Sequence, residues 1–111
     1  MEITATTQNN VAILALSGRL DGLTSPALEQ RVDALLQGGT RRLVFDCAAL
    51  SYASSAGLRV FLGSAKKFRS AGGSAVFAAL APAVHEVFEL SGFIGVLEVY
   101  ASAEAAVVKL A

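Results

Sequence analysis

The chain reads as an α/β domain over residues 1–111, with a mixed, mostly parallel sheet of four to five strands packed with about four helices. Three features predict it. From residue 26 onward, short apolar runs alternate with segments whose apolar residues recur at helical spacing, the pattern of crossover units joining parallel strands. Glycines close three of the helical segments, at Gly38-Gly39, Gly72-Gly73 and Gly92. Ahead of residue 26, two strand-like runs are parted only by Gln8-Asn9-Asn10, so the sheet opens with a hairpin and cannot be wholly parallel.

Each element has its own signal. Residues 3–7 and 11–17 are the predicted hairpin strands. The second is apolar nearly throughout, which implies burial on both faces near the centre of a sheet. Residues 26–37 are predicted as the first helix, with Ser25 as its cap and Pro26 in its first position. Leu28, Val32, Leu35 and Leu36 fall on one face of it. Residues 43–45 form the next strand, ending at Asp46. A second helix over about 56–69 buries Leu58, Phe61, Leu62, Ala65 and Phe68. Residues 75–78 make another strand. Pro82 opens a third helix running to residue 90, with Val84, Val87 and Phe88 inward. Residues 96–100 are the last strand, and Ser102 caps a final helix carrying Val107, Val108 and Leu110.

Composition narrows the function classes. Nine Lys and Arg balance nine Asp and Glu, so no global field draws nucleic acid or an anionic membrane. Tryptophan is absent, and a stacking platform for bases is not expected. Hydrophobic residues make up 54% of the chain, yet no apolar run approaches the ~20 residues a membrane helix needs. Met1-Glu2-Ile3 lacks the basic start and apolar core of a signal peptide, so a cytoplasmic location is expected. The single cysteine, Cys47, excludes an intramolecular disulfide and a multi-cysteine metal site, and reads as a small buried hydrophobe. Lys66, Lys67 and Arg69 crowd the last turn of the second helix, where cations suit the dipole, and read as a solvated helix end.

Catalytic chemistry finds little purchase. Ser54-Ser55-Ala56-Gly57 does not match the nucleophile elbow G-x-S-x-G. His85 is the only imidazole and sits off the apolar face of the third helix, so a Ser–His pair is not expected. One His and one Cys far apart make no transition-metal site, and Asp21 with Asp46 lacks the further oxygens a hard cation requires. Asp46, at a strand end, is expected to accept from nearby backbone N–H groups. The glycine pairs follow helices and do not cradle phosphates. No cofactor, metal or catalytic residue is predicted, and an enzyme is the least expected class.

Two adjacent serines remain, Ser54 and Ser55, where the second helix begins. One serine can cap the helix, a contribution of about 1 kcal/mol. The second is unexplained by capping. A serine with no base can still be a substrate: a phosphate there adds roughly −1.5 to −2 charges at neutral pH, stabilised in part by the helix N-terminus. A partner docked over that turn would meet a new dianion.

Three ordered blocks carry a resemblance that runs nearly the length of the chain. "LSGRLDGLTSPALEQ" resembles a Leu-x-Gly-Glu-Leu-Asp turn leading into a Thr-headed helix. "LVFDCAALSYASSAGLRVFL" resembles a strand followed by Asp-Ser-Ser-Gly-Leu. "LAPAVHEVFELSGF" resembles a Pro-x-Val segment ending in Ser-Gly-Leu. Together they resemble the anti-sigma factor antagonists, bacterial members of the STAS domain family. That resemblance implies a non-enzymatic partner switch. Its partners would be an anti-sigma factor that is also a serine kinase of the histidine-kinase-like ATPase type, and a PPM-type serine phosphatase. Aligned on Gly57-Leu58, the phosphorylated serine is Ser55. The implied docking surface takes in Asp21, Thr24, Ser54, Ser55, Gly57 and Leu58, with Gly57 allowing close approach of the partner backbone. Three positions depart from the family pattern: Ser54 stands for aspartate, Ala56 for the second serine and Arg19 for glutamate. Ser54 is therefore an alternative acceptor. Two other classes stay open, a STAS module binding a small ligand such as a nucleotide or lipid, and a scaffold whose serine is never modified.

Overall fold

Two asparagines set the first turn: Asn9 and Asn10 both take left-handed backbone, with φ of 52° and 64°, the geometry a two-residue hairpin needs. In the computed structural model, which describes residues 1–111, this turn joins β1 (Glu2–Gln8) to β2 (Val11–Leu20). There follow α1 (Ser25–Gln37), β3 (Arg42–Ala53), α2 (Ser55–Ser70), β4 (Ser74–Ala78), α3 (Pro82–Leu90), β5 (Val99–Tyr100) and α4 (Ala103–Leu110). The strands lie in chain order across one sheet. β1 is antiparallel to β2, and every later pair is parallel. This is the mixed five-stranded sheet with four helices that the alternation predicts.

Strand periodicity sorts side chains to two cores. Leu14, Leu16, Phe45 and Phe77 face Leu28 and Val32 of α1, Phe61 and Phe68 of α2, and Val84 and Phe88 of α3. Val11, Val44, Val76 and Ala78 face Ala106 and Val107 of α4 on the other side. Phenylalanines fix the helices to the larger core. Phe45 stacks on Phe77 with centroids 4.9 Å apart, and Phe61 meets Phe77 edge-on at 4.9 Å. Phe88 lies 5.7 Å from Phe77, and Phe93 extends the chain of rings 6.1 Å beyond Phe88. Such pairs contribute about 0.5–1.5 kcal/mol each beyond burial, so α2 is held at a defined height over β3 and β4.

The structure corrects several expected boundaries. β3 does not stop at Asp46 but continues to Ala53. The added residues are alanine-rich and weak strand formers alone. They extend because β2 runs on beside them, pairing Ser17↔Ala49 through Leu20↔Ala53, with one register shift just before Ser17 and one between Gly18 and Arg19. Ser51 Oγ also donates to the Gly18 carbonyl at 2.9 Å. β5 shrinks to Val99–Tyr100, paired with Phe77 and Ala78 of β4, since Val96 and Leu97 turn back to the Phe93 carbonyl. Ser25 does not cap α1. It is the first helical residue, and its hydroxyl donates to the Asp21 carbonyl at 2.5 Å. Val108 is 78% exposed, because α4 buries only Ala106 and Val107. Lys67 is not merely solvated: it bonds Asp33 at 2.9 Å and lies 3.6 Å from Glu29, tying α2 to α1.

Candidate functional site

β2 and β3 leave the sheet side by side, and the two turns that follow them are joined by one hydrogen bond. Ser54 N–H donates to the Leu20 carbonyl at 2.9 Å, so the Asp21–Thr24 loop and the start of α2 emerge together. Ser54 is the N-cap of α2, with φ −84° and ψ 176°. Its Oγ accepts from Gly57 N–H at 3.4 Å, a long bond, and its carbonyl accepts from Leu58 N–H at 2.9 Å. The N–H, the carbonyl and the hydroxyl oxygen of Ser54 are thus all engaged inside the chain. Ser55 is the first helical residue, is exposed, and its hydroxyl makes no hydrogen bond. The two serines divide the work: one caps, and the other is left free.

Asp21 organises the neighbouring loop. Its Oδ1 accepts from Leu23 N–H at 3.0 Å and Thr24 N–H at 3.2 Å, and lies 3.3 Å from Thr24 Oγ1. Thr24 Oγ1 in turn accepts from Asp21 N–H at 2.9 Å and lies 2.9 Å from the Arg19 carbonyl, its donated proton shared between that carbonyl and Asp21. Partial desolvation pushes the Asp21 carboxyl up. The hydrogen bonds from Leu23 and Thr24, with the nearby Arg19 charge, outweigh that and hold it below its ordinary range. Asp21 and Thr24 are therefore loop-builders, with their hydrogen-bonding capacity turned inward. Between them Leu23 is 93% exposed. Arg19 lies with its guanidinium 4.2 Å from the centre of the Tyr52 ring.

Gly57 is buried, and the close approach it permits is an internal one. A Cβ there would lie 2.7 Å from Leu20 Cγ, 2.8 Å from Leu20 Cδ2 and 3.1 Å from the Leu20 carbonyl oxygen. The glycine lets α2 start against the end of β2. Leu58 is 6% exposed and belongs to the larger core, yet its edge reaches a cleft of about 250 Å³ lined also by Ser55, Arg59, Ser91 and Phe93. Arg59, Ser91, Phe93 and Leu23 were not among the residues singled out from sequence. Leu23 carried a signal there, an apolar side chain in a polar turn and off the helical register. Ser91 and Phe93 stood in the third block as its Ser-Gly-Leu-like end, but only the tertiary fold brings that end of α3 to Ser55.

Elsewhere, Asp46 accepts from Ala48 N–H at 3.1 Å, the local role expected of it. Cys47 is fully buried, as expected of a small hydrophobe. Burial, aided by the adjacent Asp46 charge, pushes its thiol up to about 12 against a weaker opposing bond from Ala78. No helix is long and apolar enough to cross a membrane.

Comparison with known proteins agrees with this geometry. The family model of the STAS domain matches residues 2–106. The chain is 41% identical over 106 residues to BtrV of Bordetella bronchiseptica, which bears the name anti-sigma factor antagonist, spanning 96% of this chain and 91% of that one. It is 31% identical over 91 residues to the anti-sigma F factor antagonist of Paenibacillus polymyxa, spanning 81% and 78%. The crystal structure of an anti-sigma factor antagonist from Mycobacterium paratuberculosis superposes with a TM-score of 0.89 at 25% identity, spanning 98% and 92%.

Proposed function

The chain belongs to the STAS domain family, and we propose that it is an anti-sigma factor antagonist, a cytoplasmic partner-switching regulator turned off by phosphorylation of Ser55. Its partner is an anti-sigma factor with serine kinase activity of the histidine-kinase-like ATPase type. The observation that carries this reading is the division between the serines: Ser54 is committed to the cap, and Ser55 presents an unbonded hydroxyl at the exposed start of α2. Phosphate on Ser54 would alter the group that accepts from Gly57 N–H, whereas phosphate on Ser55 touches no hydrogen bond of the frame. The names borne by the relatives support the same role.

The chain supplies the acceptor and the docking surface, and the partner supplies the chemistry. Ser55 Oγ attacks the γ-phosphorus of ATP, the bond to the bridging oxygen breaks, ADP leaves, and the hydroxyl proton passes to a base on the kinase. The docking surface combines the turn at 54–58, the Gly18–Thr24 loop with exposed Leu23, and the outer side of α2. Asp21, Thr24 and Gly57 shape it from behind, and Leu58 contributes its edge. The added dianion then acts within an interface, where repulsion and desolvation dominate. Hydrolysis by a PPM-type phosphatase restores the binding form. Ser55→Asp is expected to weaken kinase binding at least tenfold in calorimetric titration, and Ser55→Ala to bind while accepting no phosphate. Unchanged affinity of Ser55→Asp would overturn the switch. An Ala variant that still gains one phosphate would move the acceptor to Ser54.

A further inference from the structure

Arg59 stands one helical turn after Ser55, on the same face of α2, where side chains four apart are neighbours. Both line the cleft closed by Leu58, Ser91 and Phe93, and the Arg59 guanidinium is the only charge in that lining. It is an unclaimed cation. The ion pairs of the chain are Lys67 with Glu29 and Asp33, and His85 Nδ1 lies 3.0 Å from Glu89. Among the other arginines, Arg19 lies on Tyr52 and Arg41 donates to the Leu36 and Thr40 carbonyls, while Arg31, Arg42 and Arg69 also lack an ion-pair or ring partner but do not line this cleft. Arg59 has neither kind of partner, and neither does the Ser55 hydroxyl beside it. The cleft, at about 250 Å³, is a shallow groove open to solvent, so a phosphate on Ser55 meets no steric bar there. Leu58 and Phe93 bound it on the apolar side, while Ser55 and Arg59 stand exposed, so a charge pair formed there has the strength of a solvent-screened helix pair.

Resting on the reading of Ser55 as the acceptor, we propose that Arg59 is the internal receptor of the Ser55 phosphate. The phosphorylated chain closes a phosphoserine–arginine pair across the first turn of α2. The guanidinium fork matches two phosphate oxygens. The modified side chain is thereby held against its own helix, and the turn presents a fixed, partly neutralised dianion to kinase and phosphatase.

The test removes any dependence on a kinase. Phosphoserine is incorporated at position 55 during translation, and the phosphate is titrated by phosphorus NMR in the native chain, in Arg59→Gln and in Arg59→Lys. A neighbouring cation favours the dianion, so the second ionisation, near pH 6 in a free phosphoserine, falls lower in the native chain. Arg59→Gln is expected to raise it by about 0.4 pH unit, from the usual strength of a one-turn ion pair. Arg59→Lys is expected to recover most of the difference. Thermal melts of the three chains confirm an intact fold. Equal ionisation in the native and Arg59→Gln chains would overturn the pairing. Incubating the unmodified chain with the kinase and ATP is a separate arm: failure to label Ser55 would refute the switch without touching the titration.

Discussion

Gly57→Ala asks whether the turn that presents Ser55 is built from inside the chain. The new methyl would lie 2.7 Å from Leu20 Cγ and 2.8 Å from Cδ2, well inside carbon–carbon contact, and 3.1 Å from the Leu20 carbonyl oxygen. Leu20 has no room to yield. It is 0% exposed, and its carbonyl accepts the Ser54 N–H at 2.9 Å. Overpacking of this kind costs about 1–3 kcal/mol. Replacing a helical glycine returns about 0.5–1 kcal/mol through lower chain entropy. The net expectation is a loss of about 1–2 kcal/mol, or roughly 4–8 °C in Tm for a domain of this size. Melting followed by circular dichroism, paired with urea unfolding at unchanged m-value, measures it. A Tm equal to or above that of the native chain, with kinase binding lost, would refute the internal packing and return Gly57 to a role in partner approach.

Other outcomes follow from the same geometry. Ser54→Ala is expected to cost about 1 kcal/mol through loss of the α2 cap, while phosphate still goes to Ser55; a phosphoacceptor lost along with Ser54 would contradict the division of roles. Asp21 has its folded pKa depressed below 3.8, so its stabilising contribution is present above that value and lost as pH falls through the folded pKa. Asp21→Asn should therefore lower Tm at neutral pH, and the gap should close below about pH 4; a gap that is constant with pH would show that the carboxylate charge is irrelevant. Cys47, with its thiol pushed up to about 12 behind full burial, should resist a thiol reagent at pH 8 until denaturant is added. Rapid labelling of the native chain would place it at the surface.

Local signals were enough for the elements whose cause is local. Asn9-Asn10 marks its own hairpin, Pro82 its helix start and Ser102 its cap, and each stands where its chemistry put it. The largest misjudged boundary, the end of β3, depends on a partner distant in sequence. Cys47 to Ala53 is a strand because β2 runs alongside, and 96–97 turn away from β4 because their N–H groups donate to the Phe93 carbonyl. At the site, the Ser54-Ser55 pair was visible as an excess of hydroxyls, but which serine capped needed the backbone. Aspartate and threonine at 21 and 24 were legible as a pair. Their inward hydrogen bonds were not, because a loop sequence does not say where its side chains point. Gly57 was legible as a necessity and misread in its cause, since the atom it accommodates belongs to Leu20. The cleft beside Ser55 joins the start of α2 to the end of α3, and no spacing rule connects residues 55 and 93.

The most direct test of the switch is to incubate the chain with a serine kinase of the histidine-kinase-like ATPase type from the same genome and ATP, then take the intact mass and map the site. One phosphate, carried on Ser55 and accompanied by release of the kinase, is the expected result. A chain that binds the kinase but takes no phosphate at Ser55, or neither binds nor is labelled, would contradict a phosphorylation-controlled antagonist.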